Sequence, residues 1–211
     1  MNVCILSESP ADDVGIRNLI DGILKASSPV PVPIRARAGG WPSVFGILPT
    51  VIRSLHFRAE ADALVVVVDS NGTVVHRADH EDPGPPDPIC RLCRLNGVVA
   101  QTRKELTSVP GRNRLKIAVG VAVPAIEAWY LCGRDRRVGE DVWRSGLLSG
   151  ATPYSTAELK KAVYGTSRPS LAMETEHAAA ESLRVAQSIA DLERLFPNGF
   201  GSLAREIRGW R

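Results

Sequence analysis

The chain has 211 residues, 44% of them hydrophobic and 23% charged, with a formal net charge of +3 at neutral pH. That is the composition of an ordinary globular protein, and no apolar stretch approaches the roughly 18–20 residues that a membrane span needs. Four cysteines, Cys4, Cys90, Cys93 and Cys132, do not make a disulfide framework in a chain of this size, so reduced thiols are expected.

The opening "MNVCILSESPADD" has no basic leader and no small-residue cleavage site, so it reads as a first strand, "NVCILS", in a cytoplasmic protein. The segment "ADDVGIRNLIDGILKA" follows, with Val14, Ile16, Leu19, Ile20, Ile23 and Leu24 at helical spacing behind an acidic first turn. "PVPVPIRAR" predicts a second strand, placed at an edge because proline cannot donate to a ladder. After the turn "AGGWP", "SVFGILPTVIRSLHF" predicts a helix that carries a proline, and "ALVVVVD" predicts a third strand buried on both faces. A long loop, "SNGTVVHRADHEDPGPPDP", leads to the helix "ICRLCRLNGVVAQTRKEL", the strand "RLKIAVGVAV" and a helix in "PAIEAWYLCG" with proline at its first turn. This βαβαβαβα order predicts a four-stranded parallel sheet with helices on both faces over residues 1–133. Residues 134–211 read as a helical extension packed on that core, with helices in "AELKKAVYG", "ETEHAAAESLRVAQSIADLERLF" and "FGSLAREIRGW". No internal repeat is present in the sequence.

Each of three strand ends carries acid: Glu8 and Asp12 after the first, Asp69 closing the third, and Glu127 just after the fourth. In a parallel sheet these ends share the carboxyl edge, where ligands bind in open α/β folds. Carboxylates within about 4 Å of one another repel by roughly 4 kcal/mol per pair at an effective dielectric of 20, so such a cluster calls for a cation. Hard oxygen ligands suit Mg²⁺ or Mn²⁺. Singly, each acid also has a structural use, Asp12 as a helix-capping residue, Asp69 as the start of a turn, and Glu127 as a first-turn acid offsetting the helix dipole.

In sequence, "LSESPADD" resembles the opening motif of Toprim domains, "VVVVDSN" their DxD segment, and "PAIEAWYL" the Glu-Ala-Trp segment of a bacterial Toprim-like domain-of-unknown-function family. That family is related to the nuclease half of the overcoming-lysogenization-defect (OLD) enzymes, and the likeness extends through "RAGGWPS" and "LFPNGFGSLAREI". The resemblance implies a Toprim-like (Rossmann-like) fold and Mg- or Mn-dependent hydrolysis of nucleic-acid phosphodiesters, in phage defence beside an ABC-type ATPase. It implies Glu8 as a metal ligand acting near the attacking water, Asp12, Asp69, Asn71 and Glu127 as further ligands, and Lys160 or Lys161 as a counter-charge for phosphate. The second DxD acid is here the neutral Asn71, and Ser9 replaces the usual glycine. The alternative is therefore a catalytically degraded subunit that binds or regulates the ATPase.

Two further features stand apart. His76, His80, Cys90 and Cys93 are zinc-ligand types at H-x3-H and C-x2-C spacing, consistent either with a structural zinc or with two small buried thiols and two solvated imidazoles. Arginines gather in the C-terminal third, and Arg134, Arg136, Arg137 and Arg208 are the expected nucleic-acid contacts, although such a face is also commonly just solvated.

Overall fold

In the computed structural model, which describes residues 1–25, 39–58, 61–77, 80, 87–111 and 113–210, three strands form one parallel sheet in the order β1 (Val3–Leu6), β2 (Ala63–Asp69), β3 (Lys116–Ala122). The strand expected over residues 29–37 lies outside the described residues. Register runs from Val3 opposite Ala63 to Leu6 opposite Val66, and from Ala63 opposite Lys116 to Asp69 opposite Ala122. All three strands therefore deliver their carboxyl ends to one edge.

The two faces of the sheet follow the period of two that β-structure imposes. Val3, Ile5, Val65, Val67, Ala118 and Ala122 face one core, and Cys4, Leu6, Leu64, Val66, Val68, Val119 and Val121 face the other. Burial on both faces explains why β2 is an unbroken apolar run. Cys4 and Cys132 are buried among apolar side chains, one in each core.

Helix α1 (Pro10–Leu24) starts where Ser9 accepts the Ala11 N–H at 3.2 Å, and it covers the first face with Ile16, Leu19, Ile20 and Ile23. Helices α2 (Gly40–Arg58) and α3 (Arg91–Glu105) cover the second face through Leu48, Ile52, Leu92 and Leu95. Helix α2 begins at Gly40, the second glycine of the expected turn, whose φ of 71° only glycine adopts readily. Helix α4 (Ile126–Tyr130) follows β3, and Pro124 lies just before its N-cap, after a cis Val123–Pro124 bond, rather than within its first turn.

Helices α5 (Glu140–Ser149), α6 (Thr156–Tyr164), α7 (Leu171–Ala186), α8 (Ile189–Leu195) and α9 (Phe200–Arg208) complete the chain. The single long helix expected over 174–196 divides at Gln187 and Ser188 into α7 and α8. These helices share the first core: α7 lies along α1, and α9 lies on β3. Two glycines admit this contact. A Cβ on Gly120 would come within 3.0 Å of Leu203, and one on Gly199 within 2.1 Å of the Val121 carbonyl oxygen. The start of α9 is held by Glu140, buried at 1% exposure, whose carboxylate accepts N–H groups of Asn198 at 2.9 Å and Gly199 at 2.5 Å and the Asn198 amide at 3.1 Å. No helix among the described residues is long and apolar enough to cross a membrane.

Candidate functional site at the carboxyl edge

The loop after β1 is drawn tight by Ser7, whose hydroxyl donates to the Ser9 carbonyl at 2.8 Å and to Asp13 at 2.6 Å. That turn aims Glu8 across to β2, where its Oε1 accepts the Asp69 N–H at 2.9 Å. Asp69 in turn uses Oδ1 to accept the Ile126 N–H at 2.9 Å, which sets the start of α4 and brings the neighbouring Glu127 to the same edge. Glu8 and Asp69 each commit one oxygen to the loops and keep a second. Asp12 lies in the first turn of α1, half-buried.

The electrostatics register this crowding. Asp12 is pushed up to about 8, first by burial and then by the charges of Glu127, Glu8, Asp13 and Glu174. Asp69 is raised well above the ordinary carboxylate range, again by burial first and by Glu127, Asp12 and Glu8 after it. Burial and mutual repulsion thus disfavour the charged forms of Asp12 and Asp69.

Cations border the acids on two sides. Arg91, the first residue of α3, donates to the Asp69 carbonyl at 2.5 Å, lies 3.8 Å from Glu8 Oε1, and stacks over the Trp41 ring at 4.9 Å. Lys160 on α6 reaches Glu127, itself buried, at 3.2 Å and Glu174 on α7 at 2.8 Å. Burial alone would lower the Lys160 ammonium, but Glu127 and Glu174 outweigh it and raise the group above the ordinary lysine range. Lys161 is exposed. The Tyr164 hydroxyl is raised by burial and then by the nearby charges of Glu127, Asp12 and Glu174.

Of the residues expected at the edge, Glu8, Asp12, Asp69 and Glu127 act on one another electrostatically and Lys160 pairs with Glu127, but the acids do not gather as tightly as a set of metal ligands. Asn71 stands two residues past Asp69 in a turn, exposed, with φ of 48° and its N–H bonded to the Pro124 carbonyl at 2.7 Å. The expected nucleic-acid arginines are exposed, and three engage acids: Arg134 pairs with Glu181, Arg137 with Asp135 at 2.7 Å, and Arg208 with Glu193. Arg91, Glu174 and Tyr164 enter the site without having been singled out in the sequence. Arg91 had a signal, since it follows a cysteine in an arginine-rich helix, whereas Glu174 had none.

Beside this edge, His76, His80, Cys90 and Cys93 form a second cluster. Their ligand atoms all lie within 4.8 Å of one another, the only group of three or more such side chains that tightly gathered among the described residues. His76, Cys90 and Cys93 are buried. This His₂Cys₂ set can hold a metal ion, and its soft donors suit zinc better than magnesium or manganese. Two cavities, about 360 and 450 Å³, lie elsewhere along α3 and are lined by residues such as Arg103, Leu115, Ile117 and Arg205.

No protein-family model, curated protein or solved structure matches the chain.

Proposed function

We propose that the chain is a metal-dependent phosphodiesterase acting on nucleic acid, of the Toprim-like type that its motifs resemble. The observation that carries this reading is that Glu8, Asp12, Asp69 and Glu127 come from three strand ends to one edge and act on one another electrostatically, with Asp12 and Asp69 driven toward protonation first by burial and then by the neighbouring acids. Excess carboxylate in a partly buried edge fits a hard divalent cation, and Glu8, Asp12, Asp69 and Glu127 are the residues that would hold it. A bound Mg²⁺ or Mn²⁺ would supply Lewis-acid stabilisation of charge on the phosphate oxygens.

The chain's own groups do the rest. Asp12, pushed up to about 8, is largely protonated near neutral pH, and a cation beside it would favour its charged form. Lys160 and Arg91 flank the acids and offer positive charge to a phosphate lying between them. Lys160 fixes the orientation of Glu127 through their ion pair.

The test is nicking of supercoiled plasmid by the purified full chain with Mn²⁺ or Mg²⁺. Cleavage lost in both Glu8→Gln and Asp69→Asn is expected; cleavage that survives in both overturns the reading. A second reading, a degraded subunit that binds or regulates an ABC-type ATPase, is favoured by Asn71 and by cations already seated against Glu8 and Glu127. In that case the wild-type chain leaves plasmid intact and binds Mn²⁺ no more tightly than Glu8→Gln does.

A further inference from the structure

We propose that His76, His80, Cys90 and Cys93 form a structural zinc site that seats the first turn of α3 against the carboxyl edge. This assignment stands independently of the phosphodiesterase reading. His76 Nδ1 lies 3.5 Å from Cys90 Sγ and 3.4 Å from Cys93 Sγ, and His80 Nδ1 lies 3.9 Å from Cys93 Sγ. A tetrahedral zinc, with Zn–S bonds of about 2.3 Å and Zn–N bonds of about 2.0–2.1 Å, separates sulfur from nitrogen by about 3.6 Å. The cluster therefore has the spacing of a coordination sphere. A lone thiol–imidazole hydrogen bond accounts for one such contact. It does not account for one ring nitrogen facing two sulfurs while a second imidazole, nearly perpendicular at 88°, turns its own Nδ1 to the same thiol.

The outer shell has the form that zinc sites use. His80 presents its other nitrogen, Nε2, to Asp87 at 3.7 Å. Asp87 also accepts the backbone N–H groups of Ile89 at 2.8 Å and Cys90 at 3.3 Å, so the same carboxylate steadies an imidazole and the entry to α3. Cys90 occupies the N-cap of α3 yet makes no capping bond with its side chain, which turns into the cluster instead.

The site has a consequence for the acidic edge. Cys90 and Cys93 lie on the turn that also carries Arg91, whose guanidinium holds the Asp69 carbonyl and faces Glu8. Fixing the two thiolates fixes where Arg91 points. Zinc is here a positioning element that acts through Arg91.

Zinc content and cobalt substitution of the full chain test the assignment, and both readings use wild-type protein. A single zinc per chain is expected, and the cobalt form is expected to show intense tetrahedral d–d bands with thiolate-to-cobalt charge transfer. Cys93→Ser should weaken the charge-transfer bands, which Cys90 alone then supplies, Asp87→Asn should lower zinc affinity about 10–100-fold against a chromophoric chelator, and Cys132→Ser should change neither. Zinc should also slow amide exchange in the first turn of α3 and leave α6 unaffected. No saturable zinc binding, or a cobalt spectrum lacking charge transfer, overturns the site; unchanged exchange in α3 overturns the seating role.

Discussion

Glu8 Oε1 accepts the backbone N–H of Asp69 at 2.9 Å, so two parallel strand ends, sixty-one residues apart in sequence, are joined through a carboxylate that also belongs to the acidic edge. The same side chain is both a structural acceptor and a source of repulsion. Those two roles separate by substitution. Glu8→Gln keeps an oxygen for the Asp69 N–H and removes a negative charge, so the metal-free protein should melt higher than wild type. Glu8→Ala loses the acceptor and should cost about 1 kcal/mol relative to Gln. With millimolar Mn²⁺ the order of wild type and Glu8→Gln should reverse, because an ion stabilises only the state that binds it. Thermal unfolding with and without Mn²⁺ checks this, and equal metal-induced shifts would remove Glu8 from the ligand set.

The metal-free protein should lose stability as pH rises from about 4 to about 8. Asp12 ionises near 8 in the folded chain against an ordinary 3.8, so between those values the native state holds a proton that the unfolded state has released. Its contribution is complete below the lower value and gone above the upper one. Asp69, also raised, adds a slope of the same sign. Asp12→Asn should flatten the profile in part and Asp12→Asn with Asp69→Asn more fully, measured as denaturant midpoints in EDTA from pH 5 to 9.

Replacing Glu140 should unseat α9. Its buried carboxylate satisfies three N–H donors of Asn198 and Gly199, and Glu140→Ala would leave them without that acceptor. We expect a loss of roughly 2–4 kcal/mol in denaturant unfolding. Glu140→Gln, which retains an acceptor oxygen, should lose less.

Gly15→Ala should destabilise the chain although alanine favours helix. The new Cβ would lie 2.0 Å from Tyr130 Oη and 2.9 Å from Cζ, in a site where both residues are buried. Overpacking of this kind costs about 1–3 kcal/mol, more than the roughly 1 kcal/mol that helix propensity returns. The Tyr130 hydroxyl has no hydrogen-bond partner among the described residues. Tyr130→Phe should therefore be tolerated and should rescue part of the Gly15→Ala loss, a coupling that a double-mutant cycle measures directly.

The strands of the sheet were legible because burial on both faces leaves a long β-branched run with little else to be, and the acidic edge was legible because parallel strands end together. The H-x3-H and C-x2-C halves of the second cluster were visible as local spacing, but their meeting depends on how the β2–α3 connection folds back, which spacing does not encode. Glu140 looked like an ordinary first-turn acid, since its partners lie 58 and 59 residues on. Glu174 sat in a run of small and polar residues with nothing to distinguish it from Glu176. Gly15 interrupts a helical pattern without a local reason, and the reason is a tyrosine 115 residues away. Contacts that depend on long-range docking of α4, α7 and α9 left no periodic trace.

The seating of α9 on β3 also bears on how the chain is made. The sheet's third strand ends at Ala122 and its covering helix begins at Phe200, so the ribosome adds nearly eighty residues between them. At about 5–20 residues per second, the flank of β3 waits roughly 4–16 s for its cover. During that interval Gly120 and its apolar neighbours on β3 lack the helix that covers them in the folded chain. Expression at low temperature or with a holdase present should raise the soluble yield most for variants, such as Glu140→Ala, in which that cover is slow to settle.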